Sequence, residues 1–396
     1  MFKKILIIGI LFLFLGTCST PSTAIDNVRK ASFPISDKTL IIVDDEGDGD
    51  YTTIKDAVNH TSPGDVIEVY SGKYVEEEIL IEIPRVTIKG IPYEFLNGTD
   101  SGTPLVVRKD KGYVFFICSE EVIVTNLKID DGPGNQSCCA FIYLYYAKKS
   151  IIADNKLRNS MVGIKCSHSD HAKIINNTIE LTEYAISLWY ESNEVEISEN
   201  HITHSKTGIS LNRVDSNKII RNWVTQCQTS IIVDDSNHNY ICCNNLEKNN
   251  KAILLWESKN NIIQQNHIVN NYYTVHLYYS NSNYLCCNNI ENNSIEMVLS
   301  RSGNNTIQQN NFINNSDTVN FFNTKYIISQ KWSTVLNKWN ANYWDDWTGN
   351  GPKMLRGRLL FNIHGPFWSP YPRKILEITF LQFDWHPAKE PFNIDV

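Results

Sequence analysis

Asn244-Asn245-Leu246, Asn266-His267-Ile268 and Asn288-Asn289-Ile290 are one pattern, an asparagine followed two places on by an aliphatic residue, repeated every 22 residues. It extends outward to Asn222-Trp223-Val224, Asn200-His201-Ile202, Asn177-Thr178-Ile179 and Asn155-Lys156-Leu157 on one side and to Asn310-Asn311-Phe312 on the other, with a single interval of 23. A fixed period of this size is the signature of stacked repeats. Other columns keep the same register. Three positions before each asparagine stand Ile152, Ile174, Ile197, Ile219, Ile241, Ile263, Leu285 and Ile307, and nine positions after it Ile164, Ile186, Ile209, Ile231, Ile253, Val275, Met297 and Val319. Two residues further on come Cys166, Leu188, Leu211, Val233, Leu255, Leu277, Leu299 and Phe321.

Each repeat therefore holds three short apolar segments of period two, separated by corners rich in Asn, Ser and Gly, with no room for a helix. Three short strands per turn specify an all-β chain, a right-handed parallel β-helix of about 22 residues per turn. The Leu-x-x-Leu-x-Leu pattern of a leucine-rich repeat is absent. The repeating asparagine is expected to take a left-handed corner, which Asn tolerates, and to stack its amide along the axis. Less regular turns precede it, at Val66 to Val69, Ile79 to Ile81, Val86 to Ile88, Val114 to Ile117 and Val122 to Ile129. Ten to twelve turns of about 4.8 Å each predict a rod of about 50–60 Å. Tyr51 to Asn59, with Thr53 three residues before Asp56, reads as a short helix over the open N-terminal end. Expected boundaries are 1–24 for a signal peptide, 25–60 for a lead-in and cap helix, 61–330 for the β-helix and 331–396 for a C-terminal cap. That last segment is rich in Pro and holds six of the nine Trp.

The 396 residues are 42% hydrophobic and 20% charged, the balance of a folded chain. A net charge of −7 with scattered cations gives no footprint for nucleic acid. Lys3 and Lys4, the apolar run Ile5 to Leu15 and the small residues Ser22-Thr23-Ala24 form a secretory signal, and no later apolar run is long enough to span a membrane. Leu15-Gly16-Thr17-Cys18 is similar to a lipoprotein box, with Thr17 where Gly or Ala is wanted. A secreted or cell-surface location follows. Nine cysteines remain after Cys18, six of them in the adjacent pairs Cys138-Cys139, Cys242-Cys243 and Cys286-Cys287. Only Cys118 with Cys138 or Cys139 has one-turn spacing suited to a disulfide. Seven Asn-x-Ser/Thr sequons are a by-product of an Asn-rich repeat.

The regular portion, together with Asn342-Tyr343-Trp344-Asp345-Asp346-Trp347, resembles the NosD-type β-helix family, related to carbohydrate-binding and sugar-hydrolysis domains. That family often closes its repeats with a Gly-Asn-Tyr-Trp-Ser-Asp-Tyr type motif, where this chain has Ala341, Asp345 and Trp347 for the Gly, the Ser and the last Tyr. The resemblance implies the fold and, through NosD itself, a link to periplasmic copper. Phe383 to Pro391 looks like the ending of archaeal surface proteins. Asp50-Tyr51, Pro63-Gly64-Asp65 and Gly72-x-Tyr74-x-Glu76 are similar to the start of pectin esterases and imply architecture only.

Register places Trp189, Asn212, Asp234, Trp256, Tyr278, Ser300 and Phe322 in one outward column, with His276 two residues before Tyr278, and Asp235 and Glu257 beside it. Flat rings next to amides and carboxylates hold sugars, whose apolar face stacks on the ring while the hydroxyls hydrogen-bond. The same column also suits plain ring stacking along a β ladder. The expected activity is glycan or polysaccharide binding on the side face without catalysis. The alternatives are a pectinase-like hydrolase or lyase and a NosD-like copper-handling factor. Neither the Gly-His-Gly nor the Arg-x-Lys of polygalacturonase-like enzymes accompanies Asp234-Asp235, and three or more carboxylates on one face would favour an enzyme. Metal ligand candidates, for copper or calcium, are His168, Asp170, His171, Cys242, Cys243, Cys286 and Cys287. The C-terminal cap is a candidate docking surface for a protein partner.

Overall fold

In the computed structural model, which describes residues 39–93, 95–96, 100–132, 139–316, 319–326, 336–363 and 373–394, the aliphatic columns point inward as a period of two requires. Ile219, Val224, Ile231 and Val233 of one turn are fully buried and stack on Ile241, Leu246, Ile253 and Leu255 of the next. Each such burial contributes about 1.5–3 kcal/mol, offset by the entropy of ordering the chain. A lone turn has nothing to bury these groups against, so stability comes from stacking.

Three parallel strands make each turn. Lys218–Ile220, Trp223–Thr225 and Thr229–Asp234 pair in register with Tyr240–Cys242, Asn245–Glu247 and Lys251–Trp256. Repetition of this unit gives the expected right-handed parallel β-helix, with about 12 turns of about 22 residues. At the N-terminal end the short helix α1 (Ile54–Asn59) buries Ile54, Ala57 and Val58, and the Thr53 side chain accepts from the Asp56 amide.

The asparagine column is a hydrogen-bonded ladder, but its backbone is not what the sequence suggested. Asn222 donates both its backbone N–H and its Nδ2 to Asn244 Oδ1, and Asn244 donates likewise to Asn266. The left-handed residue is the one before each ladder position: Asp154, Asn176, Glu199, Arg221, Cys243, Gln265, Cys287, Gln309 and Ala341 all have φ between 51 and 59°. The ladder asparagine must direct its amide inward along the axis, so the turn falls on its neighbour. Second and third ladders run from Asn217 through Asn239, Asn261, Asn283 and Asn305 to Asn337, and from Asn249 through Asn271 and Asn293 to Asn315.

The repeat does not end at residue 330. Lys338–Asn340 and Tyr343–Trp344 pair in parallel with Thr306–Gln308 and Asn311–Ile313, and Asn337 and Asn342 extend two ladders across an interval of 32 rather than 22 residues. Ten inserted residues hide this turn from a search at fixed period. Trp344 is buried and stacks on Phe312 with centroids 4.2 Å apart. An antiparallel hairpin, Lys353–Ile363 with Arg373–Asp384, follows. Its last strand brings in Gln382, which accepts from the Asn337 amide and Trp339 Nε1, and Asp384, which accepts from Ala341, Asn342 and Trp344. The expected signal segment, Cys18, Cys138, Pro366, Pro370 and Pro372 lie outside the described residues. Cys118 and Cys139 are not joined to each other, and the described cysteines stand as thiols.

Candidate functional site

The side face is made by the third strand of each turn, where residues alternate between core and surface. Register holds as predicted: Trp189 opposes Asn212, then Asp234, Trp256, Tyr278 and Ser300, all one turn apart. The column also runs back through Ser167 to Tyr145. Only the backbone of Phe322 is described, paired with Ser300. Beside it lies a second outward column, Tyr143, Lys165, Ser187, Ser210, Ile232, Leu254 and His276.

Three rings of this column are exposed to solvent, Tyr145 at 37%, Trp189 at 36% and Trp256 at 43%. Trp189 is fixed by its Nε1 donating to Ser187 Oγ at 2.6 Å and by the Lys165 ammonium 5.4 Å from its ring, the same ammonium that lies 4.9 Å from Tyr143. Trp256 packs on Tyr278 with centroids 4.2 Å apart at 40°, so one face of that pair is already used within the protein. Between the rings Asn212 Nδ2 donates to Asp234 Oδ2 at 2.9 Å. Burial raises the Asp234 pKa first, and Asp235 and Glu257 raise it further, against Arg213 and the Asn212 hydrogen bond. Three carboxylates thus share the middle of this face, with Arg213 3.6 Å from Asp235.

Asp235 and Glu257 sit on the adjoining left-handed corner, whose column is Tyr146, His168, Tyr190, Arg213, Asp235, Glu257, Tyr279 and Arg301. Tyr146 stacks on His168 at 4.6 Å and 7°, and Arg301 lies 5.0 Å over Tyr279. Such stacking rigidifies the ladder, so part of the aromatic content here is structural. His276 is different. It is half-buried, its Nε2 has no hydrogen-bond partner, and burial together with nearby Lys251 lowers its pKa from 6.5 to about 4. It is a neutral imidazole at neutral pH. Tyr143, Lys165 and Ser187 were not singled out from sequence. The signal was present for the column itself, since Tyr145 stands 44 residues, two periods, before Trp189.

The model of the family described as "Periplasmic copper-binding protein (NosD)" matches residues 59–252 and 189–349. The chain belongs to the NosD family. A search of the curated proteins finds none that matches in sequence. Among solved structures, the A-module of the mannuronan C-5 epimerase AlgE6 of Azotobacter vinelandii is similar, with TM-score 0.55 and 12% identity over 73% of this chain and 86% of that one. XylC in complex with xylose gives 0.52 and 12% over 80% and 89%, and DFA-IIIase from Arthrobacter chlorophenolicus A6 without its lid gives 0.52 and 15% over 66% and 83%. At these identities the likeness is one of fold. Among the described residues no helix is long and apolar enough to cross a membrane.

The described residues of this NosD-family chain do not offer copper or calcium a converging set of ligands. His168 Nδ1 faces Glu191 and His171 Nδ1 faces Glu194, each at 3.4 Å, while Asp170 accepts from the Asn193 amide and pairs with Lys148. Cys242 and Cys243 approach one another but sit two turns from Cys286 and Cys287. No three His, Cys, Asp or Glu side chains among the described residues stand together as a metal centre needs.

Proposed function

We propose that this NosD-family protein is exported and binds an extended glycan along the side face from Trp189 to Tyr278. The observation that carries this reading is the column itself: two exposed indoles, three turns apart, with an amide and a carboxylate between them on rigid strands. Each ring offers a flat apolar surface to a sugar, and Asn212, Asp234 and Asp235 offer hydrogen-bond partners to its hydroxyls. Strands position these groups better than loops do. The fold neighbours include proteins whose names refer to mannuronan and xylose, which supports a carbohydrate ligand.

The test is a glycan array and polysaccharide pull-down with the wild-type chain and with Trp189→Ala, Trp256→Ala and Tyr278→Ala combined. Wild-type binding that disappears in the triple variant is the expected result. Unchanged binding in the variant, or none in either chain, would overturn the proposal and leave the rings as stacking elements.

A second reading, a glycan-cleaving or glycan-modifying enzyme, is favoured by the Asp234, Asp235 and Glu257 cluster. A carboxyl whose pKa is raised can retain the proton that a general acid needs, while a neighbouring carboxylate stays ionised. Product analysis of the bound polysaccharide separates the two readings: new ends or altered sugars that vanish in Asp234→Asn select the enzyme.

A further inference from the structure

Away from the side face, the corner that precedes the asparagine ladder carries two adjacent cysteine pairs. Tyr240–Cys242 and Tyr284–Cys286 each pair with the strand between them, Ile262–Gln264, so Cys242-Cys243 and Cys286-Cys287 occupy the same corner two turns apart. In each pair the first cysteine is buried, while the second is partly exposed and left-handed, with φ of 57° at Cys243 and 55° at Cys287. The sulfurs of Cys242 and Cys243 are 2.8 Å apart, inside van der Waals contact, and Cys286 and Cys287 stand side by side in the chain in the same way.

The intervening turn places glutamine side chains between the pairs. Cys242 Sγ donates to Gln265 Oε1 at 3.7 Å and Cys286 Sγ to Gln264 Oε1 at 3.8 Å, so glutamine amides fill the space between them. Two turns amount to about 9.6 Å, beyond the Cα separation of at most about 7 Å that a disulfide spans. Between these four cysteines, the sulfur within reach of each thiol is therefore that of its sequence neighbour.

We propose that Cys242-Cys243 and Cys286-Cys287 are redox-active vicinal dithiols, each closing reversibly to a disulfide between neighbouring residues. The oxidant is, by class, a small disulfide. At the second pair Cys287 is the attacking group, because it is the more exposed of the two. Its sulfur bonds to one sulfur of the oxidant and expels the other as a thiolate. Cys286 gives its proton to that leaving thiolate and displaces the remaining half, which departs as a second thiolate and takes up from water the proton that Cys287 released on ionising. One S–S bond forms in the chain, one breaks in the oxidant, and two electrons leave in the two thiols released. Neighbouring Cα atoms lie only about 3.8 Å apart, short of the usual disulfide span, so the closed form is strained and easily reduced. That makes it a reversible centre rather than a structural staple.

The experiment uses the full chain, reduced, desalted and exposed to oxidised glutathione, with remaining thiols blocked by N-ethylmaleimide in denaturant and the digest weighed by mass spectrometry. Each pair is expected in a single peptide lighter by two hydrogens than its dithiol, free of maleimide, and taking up two maleimides after dithiothreitol. Cys243→Ser should leave Cys242 unable to close while Cys286-Cys287 still does, and Cys287→Ser should do the converse, so one misfolded variant does not remove the test. Maleimide on both cysteines of each pair after oxidation, stable glutathione adducts, or cross-links to other peptides would overturn the proposal.

Discussion

At the scale of single residues the chain tolerates strain wherever a ladder demands it. Gln309 is exposed and left-handed at φ 55°, a conformation that costs a side chain about 1–2 kcal/mol. Glycine is free of that cost and loses about 0.5–1 kcal/mol in chain entropy. Gln309→Gly should therefore raise stability by about 0.5–1 kcal/mol, seen as a higher denaturant midpoint with an unchanged slope. His276 gives a pH signature. Its folded pKa of about 4 lies below 6.5, so the unfolded chain takes up the proton first as pH falls. Stability is full above pH 6.5 and is lost progressively down to about pH 4, by an amount of about 2 kcal/mol allowing for partial exposure. His276→Leu, which matches Leu254 in the same column, should remove that slope from a pH series of unfolding curves. Neither effect was legible in the sequence. Nothing at position 309 itself signals a left-handed turn, since the asparagine beside it is the residue type that tolerates one, and a histidine's desolvation depends on which outward position its neighbours cover.

At the scale of elements the ladders need terminators, and the hairpin strand supplies them. Asp384 is fully buried and accepts from the amides of Ala341, Asn342 and His386, from Asn342 Nδ2 and from Trp344 Nε1. Asp384→Ala strands all five donors and should cost about 3–5 kcal/mol. Asp384→Asn keeps one acceptor oxygen and should cost less. Urea unfolding of the two variants gives the order, and faster amide exchange confined to 337–344 would locate the damage. Within the ladder, Asn244→Ala removes donors to Ile219 O and Cys242 O and leaves the two Asn222 donors without an acceptor, a loss of about 2–4 kcal/mol. The inward columns and the N-terminal helix were readable because a strand's period and a capping threonine are local signals. The last coil was not, since its asparagines follow an insertion, and no local signal links Asp384 to Asn342 forty-two residues away.

At the scale of the whole molecule a regular solenoid turns sequence period into distance, which makes the proposed glycan site a ruler. Trp189 and Tyr278 are four turns apart, about 19 Å along the axis, and successive positions of the column fall at spacings close to the length of one sugar unit. The register told which residues share this face, but not how each ring is held: Trp256 packs on Tyr278, whereas Trp189 is braced by Ser187, Lys165 and the edge of Tyr190. If the column is the site, affinity should climb with oligosaccharide length until about five units bridge Trp189 to Tyr278, and then level off. Trp189→Ala should shorten the ruler, so that the plateau arrives one or two units earlier and the longest ligands lose most. Calorimetric titration with a graded oligosaccharide series reads both quantities. An affinity independent of length, or a plateau that Trp189→Ala leaves in place, would mean that the ligand does not run along the axis over these rings.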